Sequence, residues 1–288
     1  MHNVDKRIRG CSCLSGLQLY IPVIMGLKDQ LRGIIPDPVL CHLSDRFDVI
    51  GTVAVLSLPP LLSDYKPAIA HAILSRRKNI KTVLNKISRL DGCNRTARYG
   101  IISGRDTVTV HHEYEFAYQL DVATVFYNPR LASERKRVTD QVQSGESVLI
   151  PFCGVGPFVI PAAAHGADII AIEKNPEAYR WLVRNLQLNG VKERVTSILG
   201  DAFDTSLLPV HPFDRAIIPT PYGMDTIFDG LAPRVKPGGI IHFYTFRNRN
   251  QADALAGEFT LKGFEVVVQR RCGNVAPGVS RWVFDLVK

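Results

Sequence analysis

The sequence predicts an α/β fold, with a mostly parallel sheet in the C-terminal half preceded by a smaller α+β domain. From Ser147 onward, short apolar stretches alternate with helical stretches, and glycine turns separate them. This alternation is typical of a parallel sheet covered by helices on both faces. The preceding region lacks that alternation. We therefore divide the chain into an N-terminal extension (1–45), a small α+β domain (46–128) and an α/β domain (129–288).

The small domain is predicted from short apolar stretches bounded by proline, glycine and charged residues. Pro59 and Pro60 end the first stretch, and three basic residues at 76–78 end a helical one. The predicted elements are a strand with a glycine break at 48–56, a helix at 65–75, and short strands at 81–84, 107–112 and 118–126. In the extension, Pro22, Pro36 and Pro38 interrupt any long element, so we expect only helical turns around 23–31.

The α/β domain is predicted to contain seven strands. Its first strand is short and mainly apolar, which is expected when both faces of a strand are buried. A charged helix precedes it and ends before Gly145. The predicted strands are 147–150, 168–172, 195–199, 215–218, 240–246, 264–271 and 282–286, and the predicted helices are 131–143, 158–165, 176–188, 225–235 and 251–261.

The chain is basic, with a formal net charge of +8. A basic surface attracts phosphate polyanions, so nucleic acid is a reasonable partner. Basic residues cluster at 76–78, at 135–137, and at Arg247 with Arg249. The alternative is that these clusters form solvated faces that serve only solubility.

The cysteines and the N-terminus indicate a cytoplasmic protein with no metal site. Of six cysteines, only Cys11 and Cys13 are close together, and their spacing is too short for a zinc knuckle. Free thiols in a reducing compartment fit best. The apolar stretch at 17–27 contains Pro22 and is too short to span a bilayer, so we expect no membrane association. The N-terminus also lacks a signal-peptide cleavage site.

A glycine-rich turn follows the first strand of the α/β domain. It runs from Phe152 to Phe158 and contains Gly154 and Gly156. Glycines let the backbone approach a ligand closely, and the following helix offers unpaired N–H groups. A lone G-x-G is weak evidence, because many tight turns contain glycine. Ile160 occupies the position of the third small residue in the dinucleotide pattern, which disfavours a nicotinamide cofactor.

Two carboxylates follow the next two strands. Glu173 ends the second strand, where a carboxylate can accept hydrogen bonds from a ribose diol. Asp201 follows the third strand, where it can reach an adenine amino group while Ala202 leaves room for the ring. Each has a plain alternative, a solvated turn residue or a helix cap. Because the carboxyl ends of parallel strands meet at one edge, the turn and both carboxylates together predict an adenosine-containing cofactor.

From about Phe47 to its end, the chain resembles the archaeal and eukaryotic type of tRNA guanine-37 N1-methyltransferase and its relatives in wyosine biosynthesis. The resemblance implies a class I, Rossmann-like methyltransferase domain with a seven-stranded sheet, preceded by a small RNA-facing domain. It also implies S-adenosylmethionine as cofactor and the tRNA anticodon loop as substrate, and we expect a monomer. The matching segments are 48–51, 81–84, 95–96, 107–111, 121–123, 129–135, 154–158, 236–239 and 244–246.

The family's chemistry gives roles to polar residues that the pattern alone would leave on the surface. Guanine N1 carries a proton, and the resemblance puts Glu134 in the role of the base that removes it. It puts Arg95 in the role of stabilising the charge that develops on O6. Arg135 is expected to orient Glu134 or contact phosphate. Pro221 and Tyr222 lie in a turn that lines the target base.

The resemblance and the strand ends together give a set of expected cofactor-binding residues. They are Arg135, Phe152, Gly154, Gly156, Phe158, Glu173, Lys174, Asn175, Asp201, Ala202 and Pro219.

Three departures from the family pattern keep alternatives open. Pro219 replaces the asparagine expected in the turn 219–222, which leaves the target atom undecided, and Ile150 replaces the usual aspartate. The first 45 residues are short for the separate domain that many relatives carry. The segment 276–279 is shared with the relative that transfers an aminocarboxypropyl group from the same cofactor. The alternatives are that transfer, a non-catalytic RNA-binding protein with a decayed cofactor site, and methylation of a protein or small molecule.

Overall fold

The computed structural model describes residues 26–88 and 97–288. Its first sheet has the strand order β1-β2-β3-β4, with β2 and β3 parallel and the two outer pairs antiparallel. The small α+β domain predicted from the sequence is present. Its strands are β1 (Asp48–Ile50), β2 (Val53–Leu56), β3 (Thr82–Lys86) and β4 (Tyr99–Ser103), and its helices are α1 (Leu27–Leu31), α2 (Asp37–Leu40) and α3 (Lys66–Arg76).

The single strand predicted at 48–56 is wrong, because the chain reverses at Gly51 and Thr52. β1 and β2 pair as an antiparallel hairpin in which Asp48 lies opposite Val55. Gly51 has a φ of +55°, and a Cβ there would lie 2.2 Å from the Thr109 hydroxyl oxygen. Only glycine satisfies both the left-handed backbone and this close approach. Strand β4 was not predicted from the sequence.

The described part of the N-terminal extension contributes to the core of the small domain. Five of its apolar side chains are buried in one cluster with α3. Helices α1 and α3 are in direct contact. The three domain boundaries drawn from the sequence stay predictions. The buried side chains are Leu27, Leu31, Ile35, Leu40 and Leu43.

The C-terminal half forms the predicted seven-stranded sheet. Its order is β12-β13-β11-β10-β7-β8-β9, and β13 runs antiparallel between β11 and β12 while the other pairs are parallel. The strands are β7 (Ser147–Pro151), β8 (Asp168–Glu173), β9 (Val195–Leu199), β10 (Phe213–Ile218), β11 (Val235–Arg247), β12 (Glu265–Ala276) and β13 (Val279–Val287). The helices are α4 (Ala132–Thr139), α5 (Val159–Ala164), α6 (Pro176–Leu188), α7 (Ile227–Leu231) and α8 (Arg249–Leu261).

Two predicted helices were too long. The helix at 131–143 is reduced to α4, with a 3₁₀ turn before it. The helix at 225–235 is reduced to α7 and a 3₁₀ turn, because Val235 already pairs with Phe213 in the sheet. Within residues 26–88 and 97–288, no helix combines the length and the apolar composition that crossing a membrane requires.

A two-stranded hairpin connects the two sheets. It consists of β5 (Val108–Glu113) and β6 (Phe116–Asp121). On one side, Thr109 accepts a hydrogen bond from the Thr52 backbone at 2.9 Å. On the other, the Asn185 amide on α6 bonds both backbone groups of Gln119, at 2.7 and 3.0 Å. This hairpin therefore ties the small sheet to the helix that packs beside the carboxyl ends of β8 and β9.

Candidate active site

A cavity of about 210 Å³ lies at the edge of the large sheet, where the loops after β7, β8, β9 and β10 meet. Because these four strands are parallel, their carboxyl ends point the same way and their loops converge. The cavity collects most of the residues assigned to the site from the sequence. These are Arg135, Phe152, Gly154, Phe158, Glu173, Lys174, Asn175, Asp201, Pro219 and Pro221.

The glycine-rich turn forms the floor of this cavity. Phe152 has a φ of +52° and Gly154 a φ of +57°. A Cβ added to Gly154 would meet no atom within 4 Å, so this residue faces open space on the cavity side. Gly156 has a different role, because a Cβ there would lie 2.8 Å from the Leu182 side chain on α6. Gly154 thus leaves room for a ligand, and Gly156 allows the turn to pack against a helix.

Glu173 is held at the tip of β8 by backbone donors. One carboxylate oxygen accepts a hydrogen bond from the Gly154 N–H at 2.7 Å, and the other accepts one from Asn175 at 2.8 Å. Asn175 in turn caps α6 by accepting a hydrogen bond from Glu177. The carboxylate therefore has a fixed position in the cavity wall, and a ribose diol requires an acceptor of this kind.

Asp201 lies next to Glu173's strand and pairs with Lys174 at 2.7 Å. The hydrogen bond from Lys174, followed by one from the Phe203 backbone, lowers the pKa of Asp201, so this carboxylate is charged. Phe203 also lines the cavity, and its ring lies 6.3 Å from that of Phe152. Ala202 is buried in the core behind them. We call this part of the cavity, formed by Phe152, Glu173, Lys174, Asp201 and Phe203, the adenosine end.

The donors and acceptors of the adenosine end fit an adenosyl group. Two carboxylates lie at the tips of neighbouring strands, where they can accept hydrogen bonds from hydroxyl and amino groups. Two aromatic rings provide apolar walls for a purine. Gly154 leaves the space that a side chain would fill. This combination matches the adenosine-containing cofactor predicted from the sequence.

The opposite part of the cavity is mainly apolar, and we call it the reactive end. It is formed by Leu131, Phe158, Pro219, Pro221 and Met224, together with Arg281. Proline side chains offer neither a donor nor an acceptor, so the loop after β10 contributes shape rather than polar recognition.

Two other residues at this edge do not line the cavity. Tyr222, expected to line the target base, has 66% of its surface exposed, and its ring lies 5.5 Å from that of Phe246. Ile150 is completely buried in the sheet. The family's usual aspartate contact near the methionine end therefore has no counterpart at position 150.

Glu134 is buried directly behind the lining of the reactive end. Its carboxylate accepts a hydrogen bond from the Tyr244 hydroxyl at 3.1 Å, and the Tyr244 ring lies 5.6 Å from that of Phe158. Arg137 approaches both oxygens of Glu134 at 2.8 to 3.1 Å. Burial, reinforced by Glu134, raises the pKa of Tyr244 well above its usual value, so the phenol is the donor. Glu134 is thus connected to the cavity lining through the rings of Tyr244 and Phe158.

Residues 109–274 match the family model of the TRM5/TYW2 methyltransferase domain, which is more than half of the chain. The chain belongs to the TRM5/TYW2 family. Residues 27–107 match the model of the TYW2 N-terminal domain. The family inferred from the sequence motifs is confirmed.

Relatives within the TRM5/TYW2 family differ in activity, as two of them show. Trm5b of Pyrococcus abyssi, a tRNA (guanine(37)-N(1))-methyltransferase, is 34% identical over 88% of this chain and 76% of its own length. A tRNA(Phe) (4-demethylwyosine(37)-C(7)) aminocarboxypropyltransferase of Pyrococcus horikoshii is 37% identical over 91% of this chain and 97% of its own length. Overall identity therefore does not separate the two activities.

Solved structures of the TRM5/TYW2 family share the fold of this chain. The complex of aTrm5 with tRNALeu has a TM-score of 0.82 at 25% identity, covering 92% of this chain and 78% of that one. TYW2 of P. horikoshii in complex with MeSAdo has a TM-score of 0.72 at 30% identity, covering 90% and 97%. The predicted class I fold with its seven-stranded sheet is confirmed.

In this TRM5/TYW2 chain, a line of charged and polar side chains leads away from Glu134. Arg137 donates to Asp285 at 2.6 and 3.2 Å, and Asp285 bonds His242 at 2.7 Å. His242 contacts Arg215 at 2.8 Å, and Arg215 pairs with Glu146. We call this line, from Glu134 through Arg137, Asp285, His242 and Arg215 to Glu146, the ion network.

The protonation states of the ion network follow from its contacts. Burial lowers the pKa of His242, so the ring is neutral. Arg215 can only donate, so His242 accepts through Nε2 and donates through Nδ1 to Asp285. Burial alone would raise the pKa of Asp285, but hydrogen bonds from His242 and Arg137 outweigh it and lower the pKa to about 2. Asp285 is therefore charged and fixes Arg137 against Glu134.

Arg135 has a separate set of partners. It is buried, forms a two-point ion pair with Glu113, and donates to the Asn128 carbonyl at 3.1 Å. Tyr127 also donates to Glu113, at 2.7 Å. Arg135 therefore fixes the wall of the cavity between β5 and α4. Arg95, the expected O6 stabiliser, falls at 89–96, outside the described residues.

The cavity also contains residues that the sequence analysis did not identify. Phe203 follows Asp201, Met224 follows the proline-rich turn, and Arg281 follows the segment 276–279, so each had a nearby motif as a signal. The remaining ones are Phe126, Tyr127, Asn128, Leu131, Cys153, Val155, Pro157 and Ala178.

Proposed function

We propose that this chain transfers a methyl group from S-adenosylmethionine to N1 of guanine 37 in tRNA, or to a wyosine precursor at that position. The observation that carries the proposal is a buried carboxylate, Glu134, held next to the reactive end of a cavity that suits an adenosyl group. Trm5b, a guanine-37 N1-methyltransferase, is similar over most of this chain. The tRNA complex of aTrm5 supports tRNA as the substrate.

The adenosine end would hold the cofactor, which supplies a methyl group on a positively charged sulfur. Glu173 would accept hydrogen bonds from the ribose, and Asp201 would accept one from the adenine amino group. Phe158, Pro219 and Pro221 form apolar walls at the reactive end, and these walls exclude water from the methyl group.

Glu134 would accept the proton of guanine N1. Deprotonation makes N1 nucleophilic, and a positioned carboxylate contributes this step by general base catalysis. Tyr244 and Arg137 orient the carboxylate. Arg95 would stabilise the negative charge on O6, as the resemblance implies.

Transfer of the aminocarboxypropyl group is the second candidate. It is supported by the match of 27–107 to the TYW2 N-terminal domain and by the P. horikoshii aminocarboxypropyltransferase, 97% of which this chain covers. The Pro219 side chain, which cannot hydrogen-bond a guanine edge, also fits it. Against it stands Glu134, because a base is needed most where the attacking nitrogen carries a proton.

The test is incubation with S-adenosylmethionine and two tRNA substrates, followed by nucleoside mass spectrometry. One substrate is an unmodified transcript, and the other is tRNA isolated with the demethylated wyosine precursor. A gain of one methyl group on either base supports the proposal, and a gain of the aminocarboxypropyl group supports the second candidate. Cofactor binding without any product would support a non-catalytic RNA-binding protein.

We also infer that the protein works in the cytoplasm as a monomer. The described cysteines Cys41, Cys153 and Cys272 are free thiols, which supports a reducing compartment. Size-exclusion chromatography with light scattering checks the monomer, and a mass of two chains would contradict it.

A further inference from the structure

We propose that the RNA strand next to the target nucleotide binds through its phosphates in a groove between α8 and the β12–β13 hairpin. This inference rests on the proposed function, which makes RNA the substrate. The groove is open, has a volume of about 990 Å³, and we call it the hairpin groove. Among the residues that line it are Arg249, Asp253, Arg270, Arg271, Asn274 and Ser280.

The hairpin groove has an excess of positive charge. Three arginines line it, and Asp253 is the one acidic residue among its described lining. Arg249 is 78% exposed and reaches Asp253 only at 3.4 Å. Within the described ranges, Arg271 has no carboxylate partner. Exposed guanidinium groups bind phosphates, and the exposed pair of Arg249 with Asp253 is screened by solvent.

The groove and the cavity are both lined by residues of the β12–β13 hairpin. Successive residues of a strand point to opposite sides, and in β13 Ser280 and Trp282 line the groove while Arg281 between them lines the cavity. On the neighbouring strand, Arg270 lines the groove and approaches the Glu134 carboxylate at 3.8 Å. An RNA strand held in the groove would therefore lie against the hairpin whose residues also reach Glu134 and the cavity wall.

The two arginines of the basic cluster at 135–137 form ion pairs within the protein. Arg135 pairs with Glu113, and Arg137 pairs with Glu134 and Asp285. Both side chains are largely buried, and phosphate would have to displace these ion pairs to bind them.

Arg247, the neighbour of Arg249 in its cluster, pairs with Asp225 at 2.8 Å. In the cluster at 76–78, Arg77 lies over the Phe47 ring, on the small domain. The groove arginines are thus exposed basic side chains on the hairpin that borders the cavity.

The test compares the double variant Arg249→Gln/Arg271→Gln with Arg180→Gln/Arg194→Gln. The control arginines are 54% and 49% exposed and lie near the opposite edge of the sheet, on α6 and before β9. Both variants lose the same charge. The Kd for an unmodified tRNA transcript is measured by filter binding at several salt concentrations, and the Kd for S-adenosylmethionine by calorimetry.

We expect the groove variant to bind tRNA about tenfold more weakly, with a salt slope reduced by about 1.4 for two lost phosphate contacts to a single strand. The control should change the tRNA Kd less than about twofold. Both should bind S-adenosylmethionine like the unaltered protein. Equal tRNA affinity and equal salt slope in the groove variant and the control would overturn the proposal.

Nucleoside analysis separates this proposal from the proposed function. If tRNA binding depends on the groove arginines but no modified nucleoside forms, the groove is supported and the enzyme assignment fails. If product forms with an unchanged KM for tRNA in the groove variant, the enzyme assignment holds and the groove proposal fails. A protein that does not bind tRNA contradicts both.

Discussion

At the adenosine end, Glu173 lies in the cavity wall and is held by the backbone of residues 2 and 19 positions away. At the reactive end, Glu134 lies behind the wall and is held by Tyr244, 110 positions away, and by Arg137. One carboxylate is positioned by turns and strand ends. The other depends on side chains from four separate elements of the fold.

This difference indicates that the adenosine end serves cofactor binding and the reactive end serves proton transfer. Binding a neutral ribose needs an acceptor at the right place, which local backbone geometry provides. Accepting a proton from a substrate needs a carboxylate with a fixed orientation, and Tyr244 and the ion network supply it. Variants at the adenosine end should therefore change binding, and variants at the reactive end should change rate or stability.

The largest effect is expected when the ion network is broken at Asp285. Asp285→Asn removes the charge that opposes Arg137 in a buried site, which costs about 3 kcal/mol of unfolding free energy. Urea denaturation measures this change. Asp168→Asn, at an exposed aspartate that pairs with Arg194, is the control and should change stability by less than about 1 kcal/mol.

The lowered pKa of Asp285 predicts that the free energy of unfolding depends on pH in the acid range. The pKa of Asp285 falls from 3.8 to about 2 on folding, so its stabilising effect is complete above pH 3.8 and disappears as the pH falls through about 2. Asp285→Asn should flatten this part of the stability profile. An identical acid profile in both proteins would show that Asp285 is not charged in the network.

Glu134→Gln tests the reactive end itself. We expect the single-turnover rate of methyl transfer to fall about 100-fold, because the amide cannot accept a proton. The Kd for S-adenosylmethionine should stay within about threefold, since Glu134 lies behind the cavity lining. Glu177→Gln, at a surface carboxylate paired with Arg180, serves as control. Undiminished turnover in Glu134→Gln would remove this residue from the mechanism.

Glu173→Gln tests the adenosine end. Loss of a charged acceptor for the ribose costs about 1.5 kcal/mol, which is about a tenfold increase in the Kd for S-adenosylmethionine. Calorimetry measures it directly. If the affinity is unchanged, the ribose does not bind at the tip of β8.

Lys174→Met should have the smallest effect. The pair of Lys174 with Asp201 is about half exposed, so solvent screens it. We expect a change of less than about threefold in cofactor Kd. A larger loss, measured in the same titration, would mean that Lys174 contacts the cofactor itself.

The sequence predicted the adenosine end well, because its signals are local. A glycine turn and two carboxylates each follow a short apolar strand, and parallel strands bring such ends together. It also predicted all seven strands of the large sheet. The hairpin at Gly51 was missed, since an apolar stretch with one glycine resembles a single strand that contains a bulge.

The reactive end was predictable only in part. The family motif pointed to Glu134, but nothing local showed that Arg137 would pair with Asp285, 148 positions away. His242 and Asp285 lie in apolar strands. The role of a polar residue there cannot be inferred until its neighbour across the sheet is known. They lie directly opposite each other in β11 and β13. Strand pairing therefore decides this network, and the sequence pattern does not contain it.

The most direct test of this division is rescue by excess cofactor. Single-turnover rates of Glu134→Gln and Glu173→Gln are measured on tRNA over a rising series of S-adenosylmethionine concentrations. We predict that Glu173→Gln reaches the rate of the unaltered enzyme at saturation, whereas Glu134→Gln saturates normally at a rate about 100-fold lower. Rescue of Glu134→Gln by cofactor, or failure to rescue Glu173→Gln, would contradict the assignment of binding to one end and proton transfer to the other.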